Sequence, residues 1–410
     1  MRKIKILVLA SDNIGGCGRF RSIWPHEYIQ KHYSDLFDIQ IMLSSDLIKI
    51  SPIELFFLQF DIIHIHKYAD PHGIYMDILK FLDKKVIIDV DDNWNLGDFH
   101  PLSEMSKKEN WKQYQISHLR KADYVTTTTK IFAKECKKYN DNVYVFPNAI
   151  DSQMEQFIPK PTKSNRLRFG IICGSTHLHD IELLEGMISK LSKDVLDKVQ
   201  FVLCGFDTNG KQTLILPNGQ KVIQKINPLD SVWAKYEKIL TNNYSIIPSE
   251  EKDFLMEFRE QVDSPVNSVY RRCWTKNIET YANHYNNIDV LLVPLRVCDF
   301  NKVKSQLKII EAGFFHKAVI ASDFGPYTID CKSILGKNGV INEDGNSLLV
   351  EPNRDHKLWA KYVTMLANNP EMVEKMGENL YQTVKDKYSI ETVCKDRVNF
   401  YLDIMKENNK

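Results

Sequence analysis

No surplus of charge, no paired cysteines and no long apolar run mark this chain. Lys and Arg number 54 against 53 Asp and Glu, a formal net charge of +1. That balance gives no argument for nucleic acid or for a strongly acidic partner. The eight cysteines are scattered, with no C-x-x-C pair and no zinc spacing. Cys173 and Cys204 lie in apolar runs, where a buried free thiol is the default, and this usage points to a reducing cytoplasm. No run approaches the roughly 18 apolar residues needed to span a bilayer, so any work at a membrane is done on its surface. The start, Met1 to Asp12, is basic and then apolar, but Ile6 to Ala10 is too short for a signal peptide and runs into Ser11-Asp12-Asn13. It reads as a first β-strand. The glycines that follow do not have the G-x-G-x-x-G spacing of a nicotinamide fingerprint.

What is present is an ordinary globular composition, 43% hydrophobic and 26% charged, in 410 residues. The length suits two or three domains with two large cores. The chain is organised around Ile288 to Asp323. Ile288 to Val293 is an apolar run closed by Pro294, as in a buried parallel strand. Phe300-Asn301 reads as a loop. Lys304 to Phe314 has helical spacing, with Leu307, Ile310 and Phe314 on one face and Lys304, Lys308 and Glu311 on another. Ala318 to Ala321 is the next strand. Ligands of open α/β sheets sit where strand ends meet helix starts, and a helix N-terminus offers N–H groups to a phosphate. Ser305 adds a hydroxyl, Lys304 and Lys308 add charge, and Glu311 can accept from a ribose diol. An amphipathic surface helix with solvated charges is the alternative for this stretch taken alone.

The first half reads as one parallel α/β domain. Its strands are Ile4 to Ala10, Phe37 to Met42, Asp61 to His66, Lys85 to Asp89, Tyr124 to Thr127 and Val143 to Phe146. Helices are read from Pro25 and over Ile131 to Tyr139. In the glycine-rich turn after the first strand, Gly15 and Gly16 let backbone approach a ligand closely. Arg19 and Arg21 would meet phosphate or an acidic sugar there, unless they are solvated arginines of a tight turn. His66 ends its strand, where function gathers, whereas His64 reads as a packing histidine. Asp89, Asp91 and Asp92 crowd three carboxylates into D-V-D-D, which repel unless a cation or donors offset them. They could bind an acceptor hydroxyl, supply a base, hold a divalent ion, or cap the next helix.

Pro147-Asn148-Ala149-Ile150-Asp151 breaks the pattern, and Ile158 to Arg168, with two prolines, reads as a linker. A second α/β half follows. Phe169 to Cys173 is a strand, and Gly174 to Asp180 leads into a helix over Ile181 to Leu191. Gly174 allows close approach of a phosphate, to which Ser175, Thr176 and the helix start can donate. His177 and His179 could hold the same anion; a metal is disfavoured because no further ligand is near. Val199 to Cys204 is a strand, and Asn209 to Gln224 a hairpin around Pro217-Asn218-Gly219. Asp230 to Thr275, with Trp233, Tyr236, Arg271, Arg272 and Trp274, reads as an insertion over the site. Ile278 to Tyr285 is helical. Asn346 to Glu351 is a late strand, followed by helices over His356 to Ala367, Pro370 to Asp386 and Ile390 to Lys406.

Several motifs now carry a resemblance. They are T-T-T-T-K-I-F, P-N-A-I-D, the late K-S-x-x-K-x-x-E-A-G helix, A-V-I-A-S-D-F-G-P-Y and D-G-N-S-L-L-V-E-P. With the two α/β halves, they resemble GT-B-fold glycosyltransferases, and most of all the large retaining family that uses nucleotide-sugars (glycosyl transferases group 1 type). The resemblance covers nearly the whole chain and is more specific in the second half. It implies two Rossmann-like parallel α/β domains facing a cleft. Residues 1–165 would form the acceptor domain, 166–388 the donor domain, and 389–410 a helix crossing back to the first.

The implied activity is hexosyltransferase-like. A sugar moves from a UDP- or GDP-linked donor to a hydroxyl of a glycan or lipid-linked saccharide, with retention, in cell-surface polysaccharide synthesis. The implied place is the cytoplasm, compatible with peripheral contact at the inner face of the plasma membrane. No cofactor, metal or nucleic acid is implied. Glu311 matches the family glutamate that holds the ribose, while Val303 stands where the family has a sugar-contacting glutamate. The family's diphosphate-holding Arg and Lys are missing from Gly174 to Asp180, and His177, His179, Lys304 and Ser305 would take over. The donor set is then Gly174, Ser175, Thr176, His177, Asn301, Lys304, Ser305, Lys308 and Glu311. The acceptor-side loop is Gly15, Gly16, Arg19 and Arg21. Lys304, Asp91, Asp92 and His66 are the catalytic candidates. The rivals are a non-catalytic nucleotide-sugar-binding or scaffold protein, for which Val303 speaks, and a GT-B-like nucleotide-sugar epimerase.

Overall fold

The computed structural model describes residues 2–407 except 68–69, 71–72, 216–220, 259–262, 265–266, 337–339, 353 and 355. The chain divides into two compact units. One comprises Met1–Ser152, Cys298–Ile310 and Val384–Lys410; the other comprises Gln153–Val297 and Glu311–Thr383.

The first unit is built on strands β1 (Ile4–Ala10), β2 (Phe37–Leu43), β3 (Ile62–His66), β4 (Lys85–Val90), β5 (Tyr124–Thr127) and β6 (Val143–Val145). They form one parallel sheet in the order β2-β1-β3-β4-β5-β6. Both faces are covered, which is why these strands read as continuous apolar runs. Alternate residues supply each face. Leu7, Leu9, Ile63, Ile65, Val86 and Ile88 pack with Leu119 and Phe132 on one side. Ile6, Val8, Ile62 and Ile87 pack on the other, with Ile29 and with Val393, Phe400, Tyr401 and Ile404 of the helix Ile390–Glu407. Tyr401 also donates or accepts through its hydroxyl at His26 (2.7 Å) and His64 (2.9 Å), so His64 is a packing histidine.

The second unit contains β7 (Leu167–Ile172), β8 (Val199–Phe206), the antiparallel hairpin β9 (Lys211–Ile215) and β10 (Lys221–Lys225), then β11 (Tyr270–Trp274), β12 (Val290–Val293), β13 (Ala318–Ser322) and β14 (Ser347–Val350). Its parallel sheet has the order β11-β8-β7-β12-β13-β14. The hairpin tip, Pro217-Asn218-Gly219, lies outside the described residues. No described helix is long and apolar enough to cross a membrane.

Four local readings are corrected. Asp230 to Thr275 is not an insertion: it supplies the helices Val232–Thr241 and Ser249–Met256 and the edge strand β11, and Trp233, Tyr236 and Trp274 belong to the unit's core. The two arginines in Y-R-R-C-W disguise that strand. Arg272 is buried there because Glu237 accepts from it at 2.8 and 2.7 Å. The helix expected over Ile181 to Leu191 is instead a series of single turns, cut where Gly186 adopts a left-handed φ of 84°. Phe300-Asn301 lies in a one-turn helix, Asp299–Lys302, and the following helix starts at Leu307 rather than Lys304. Side-chain bonds hold the residues before it out of the helix: Asn148 to Ser305 and Gln306 to Tyr388. Lastly, the helical stretch near Ile278 is a 3-10 helix over Tyr281–Asn287.

Candidate functional site

In each sheet the strand order reverses once, between β1 and β3 and between β7 and β12. At such a switch point the connections leave in opposite directions and open a crevice at the strands' C-terminal ends.

At the second unit's switch point, β7 runs into Gly174 and β12 into Arg296. A Cβ placed on Gly174 would meet nothing within 4 Å, so this backbone faces open space. The turn is clamped from below by Tyr236, whose hydroxyl donates to the Gly174 carbonyl (3.2 Å) and accepts from the His177 N–H (3.1 Å). Asp180 is fully buried and acts as the hub. Its carboxylate meets His177 Nδ1 at 2.9 Å and His179 Nε2 at 3.4 Å, and accepts from the Arg296 backbone N–H at 2.9 Å. The Arg296 guanidinium donates through Nε to the His179 carbonyl at 2.7 Å. Two imidazoles and a guanidinium are thus gathered beside an open glycine turn. Ser175 and Thr176 lie in that turn, in a single 3-10 turn Ser175–His177.

Arg296 was not found by sequence reasoning, because it stands 116 residues from the Asp180 it joins. The signal was its place just past the end of a strand next to β7.

Glu311 also belongs to the second unit and is only 3% exposed. Tyr281 and Tyr285 each donate a phenol to one of its oxygens, Tyr285 at 2.7 Å. Burial, followed by the Glu311 charge, pushes both phenols well above their ordinary range, so they remain donors. The carboxylate is therefore fixed in place by two phenols.

At the first unit's switch point, Ser11 Oγ lies 2.7 Å from His66 Nδ1, and His66 Nε2 lies 3.4 Å from Asp91. Lys67, the next residue, reaches both acids: Nζ is 2.5 Å from Asp91 and 2.9 Å from Asp92. Burial works to raise the Asp91 pKa, but Lys67 and His66 overcome it and hold the group well below the carboxylate range. Asp91 is thus an anion and a poor base. Lys67, absent from the candidates read in the sequence, supplies the cation that the acidic cluster demanded. Cys17 joins Asp91 and Asp92, with ligand atoms within 4.8 Å of one another, but the Lys67 ammonium already bridges the two carboxylates.

The rest of the first-unit candidates separate. Arg21 has no exposed surface and is bound by Asp89, so it is not presented to a ligand. Arg19 is partly exposed and donates to the Asn13 carbonyl at 2.8 Å. The glycines answer first to Asp12: a Cβ on Gly15 would lie 2.7 Å from its carboxylate, and one on Gly18 would lie 2.1 Å from its carbonyl. Gly16 begins the helical run that continues through Trp24–His32. Asn301 is fully buried, and Lys304 and Lys308 are half-buried; Lys304 Nζ sits 4.9 Å from the centre of the Phe300 ring. Ser305 Oγ accepts from Asn148 at 3.1 Å. Val303 is 1% exposed and packs in the first unit's core.

No protein-family model and no curated protein sequence matches the chain. Solved structures do. Sucrose-phosphate synthase from Thermosynechococcus elongatus superposes over 99% of this chain and 100% of its own, with a TM-score of 0.63 at 14% identity. HepE from Anabaena, in complex with UDP-glucose, covers 98% of this chain and 100% of its own at a TM-score of 0.62 and 11% identity. The chain has the GT-B fold. The catalytic domain of starch synthase IV from Arabidopsis thaliana agrees, with a TM-score of 0.60 at 11% identity over 98% of this chain and 99% of its own. Within the GT-B fold, each parallel sheet carries its own switch point, and the candidate residues fall at both.

Proposed function

We propose that this protein is a glycosyltransferase that takes its sugar from a nucleoside-diphosphate sugar. The observation that carries the reading is the second unit's switch point, where the open Gly174 turn, His177, His179 and Arg296 are arranged about Asp180. Such a set suits a diphosphate. The solved structures share that chemistry: HepE was solved with UDP-glucose and starch synthase IV with ADP and acarbose, ligands that differ in base and agree in the diphosphate.

Breaking a glycosyl–phosphate bond puts positive charge on the sugar carbon and negative charge on the departing diphosphate. Oriented N–H groups and cations fixed in advance lower the barrier most, because they need no reorganisation as that charge develops. Arg296, His177 and the Ser175–Thr176 backbone would receive the leaving diphosphate. Glu311, locked by its two tyrosines, would hold the ribose hydroxyls. The depressed pKa of Asp91 agrees with a retaining route in which the leaving phosphate, rather than an enzyme carboxylate, removes the acceptor proton. Asp92, His66 and the Gly15–Gly16 turn would then orient the acceptor hydroxyl. A glycan or lipid-linked saccharide of cell-surface polysaccharide synthesis is the acceptor we favour, with the enzyme at the inner membrane surface.

Calorimetric titration with UDP, GDP, ADP and CMP tests the donor site. One nucleotide should bind, and Glu311→Ala and Arg296→Ala should each weaken it. If none binds, the likeness is one of fold alone. Val303 favours a second reading, a non-catalytic nucleotide-sugar-binding protein, because the side chain at that position is sunk in the core and cannot touch a sugar. Slow hydrolysis of the bound donor would decide for the enzyme.

A further inference from the structure

A cavity within the second unit takes no part in the glycosyltransferase reading. It lies between the segment that continues from the Gly174 turn and the helix Val232–Thr241, and its volume is about 230 Å3. Leu178, Glu182 and Glu185 line one wall, at i, i+4 and i+7. Lys235, Lys238, Ile239 and Asn242 line the other, at i, i+3, i+4 and i+7. On a helix that spacing is one continuous stripe. The stripe is turned away from the core because the opposite side is committed to it: Trp233, Tyr236 and Leu240 are buried there. The helix is pinned at its start by Ser231, which accepts from the Ala234 N–H at 3.2 Å. It ends at the cavity, where Asn242 and Asn243 take left-handed φ values of 49° and 56°.

The charges are sorted by wall, glutamates on one and lysines on the other, and they do not neutralise each other across the gap. Among the described residues Glu185, Lys235 and Lys238 have no ion-pair or hydrogen-bond partner. Glu182 has the Arg296 guanidinium at 3.9 Å, but both side chains are about half exposed, so that contact is weak. Leu178 and Ile239, both half-buried, add apolar surface. Two carboxylates and two ammoniums give the cavity no net charge and a strong separation of charge. A phosphate would be repelled by the glutamates and a metal ion by the lysines. A molecule that carries a cation and an anion together is matched by both walls. The room suits a small one, since drug-sized ligands take roughly 300–1,000 Å3. We propose that this cavity binds a free α-amino acid with an apolar side chain. The ammonium of the ligand meets Glu182 and Glu185, its carboxylate meets Lys235 and Lys238, and its side chain lies on Leu178 and Ile239. Nothing in this site depends on the donor reading.

Calorimetric titration of the full-length chain with L-leucine, L-methionine and L-phenylalanine, in the absence of nucleotide, tests the site. At least one of the three should bind at millimolar concentration or tighter. Its N-acetyl derivative, which lacks the ammonium, and its amide, which lacks the carboxylate, should each bind about tenfold more weakly, the worth of a hydrogen bond to a charged group. Lys238→Met and Glu185→Gln should each lower the affinity by the same factor. The melting temperature of both variants should stay near that of the unmodified protein, because neither side chain has a partner to lose. Binding of none of the three amino acids overturns the proposal. So does an amide or N-acetyl derivative that binds as well as the free amino acid, since one wall would then read nothing. Normal binding by either variant also overturns it, because the amino acid would then sit elsewhere. Each result is read without a donor, so it stands whether or not a nucleotide binds.

Discussion

Arg21 and Asp89 meet side by side in two parallel hydrogen bonds of 2.9 and 2.7 Å, and neither residue has any exposed surface. Arginine suits this position because its planar fork matches a carboxylate in two bonds at once. The pair ties the first helical run to β4, and through it the glycine turn to the acidic cluster. Breaking one side leaves a buried charge without a partner. Arg21→Met or Asp89→Asn should therefore cost about 3–5 kcal/mol in urea denaturation. The double variant Arg21→Met/Asp89→Leu should cost less than the two single changes added together; a simple sum would show that the residues do not act as a pair.

The Lys67 ammonium bridges Asp91 and Asp92 and supplies the positive charge that the two carboxylates need. Donor turnover is expected to be unchanged by EDTA and by added Mn2+. Lys67→Met should destabilise the first unit by about 3–5 kcal/mol, since it leaves the buried Asp91 charge uncompensated. Chelator-sensitive turnover in the unmodified protein would refute this assignment.

Acid should weaken the fold before the carboxylates titrate. Burial lowers His26 and His284 to about 3 and takes His64 well below its ordinary value. All three are neutral in the folded chain, whereas in the unfolded chain they take up protons below about pH 6.5. Their contribution is thus complete above that pH and is lost as pH falls toward 3. Each adds a slope of up to about 1.4 kcal/mol per pH unit. Urea midpoints should drop between pH 7 and pH 5. Among the described residues the His284 ring nitrogens have no hydrogen-bond partner, so His284→Leu should hold stability at pH 7 and flatten that drop.

Arg296→Ala should weaken UDP binding roughly tenfold, in the range of a charge-assisted bond. It should also reduce the salt dependence of binding. The melting temperature should move little, since the side chain is 41% exposed. Unchanged affinity would remove Arg296 from the donor site.

Glu311 is the group assigned to the ribose, so its variants should discriminate sugars. Unmodified protein should prefer UDP over 2′-deoxy-UDP, and Glu311→Ala should narrow that preference. Tyr285→Phe removes a donor from the buried carboxylate and should cost about 1–3 kcal/mol of stability. Equal discrimination by Glu311→Ala and the unmodified chain would place the ribose elsewhere.

The sequence showed what local pattern can show. Buried parallel strands announce themselves as apolar runs, and β1, β3, β12 and β13 were legible for that reason. The edge strand β11 was not, because Arg271 and Arg272 interrupt its run and the Glu237 that makes Arg272 tolerable lies on a distant helix. Gly186 hid a chain break inside a helical spacing. At the candidate site, Asp91, Glu311 and the Gly174 turn were legible as residue types in the right places. Their partners were not: Lys67 and Arg296 act through contacts that only the strand order creates. Both stand just past a strand flanking a switch point, so a correct topology would have singled them out.

The helix Ile390–Glu407 carries a consequence for synthesis. It covers one face of the first sheet, where Tyr401 meets His26 and His64 and where Phe400 and Ile404 pack among residues of β1 to β6. The ribosome delivers β1 long before this helix, with almost the entire second unit between them. The second unit can bury its own core while the chain is still growing. The first cannot, and its apolar sheet face must wait for Ile390–Glu407 to emerge. The unit whose strands are made before the other is thus the one that finishes folding after it, and until then its open sheet face is exposed to wrong contacts.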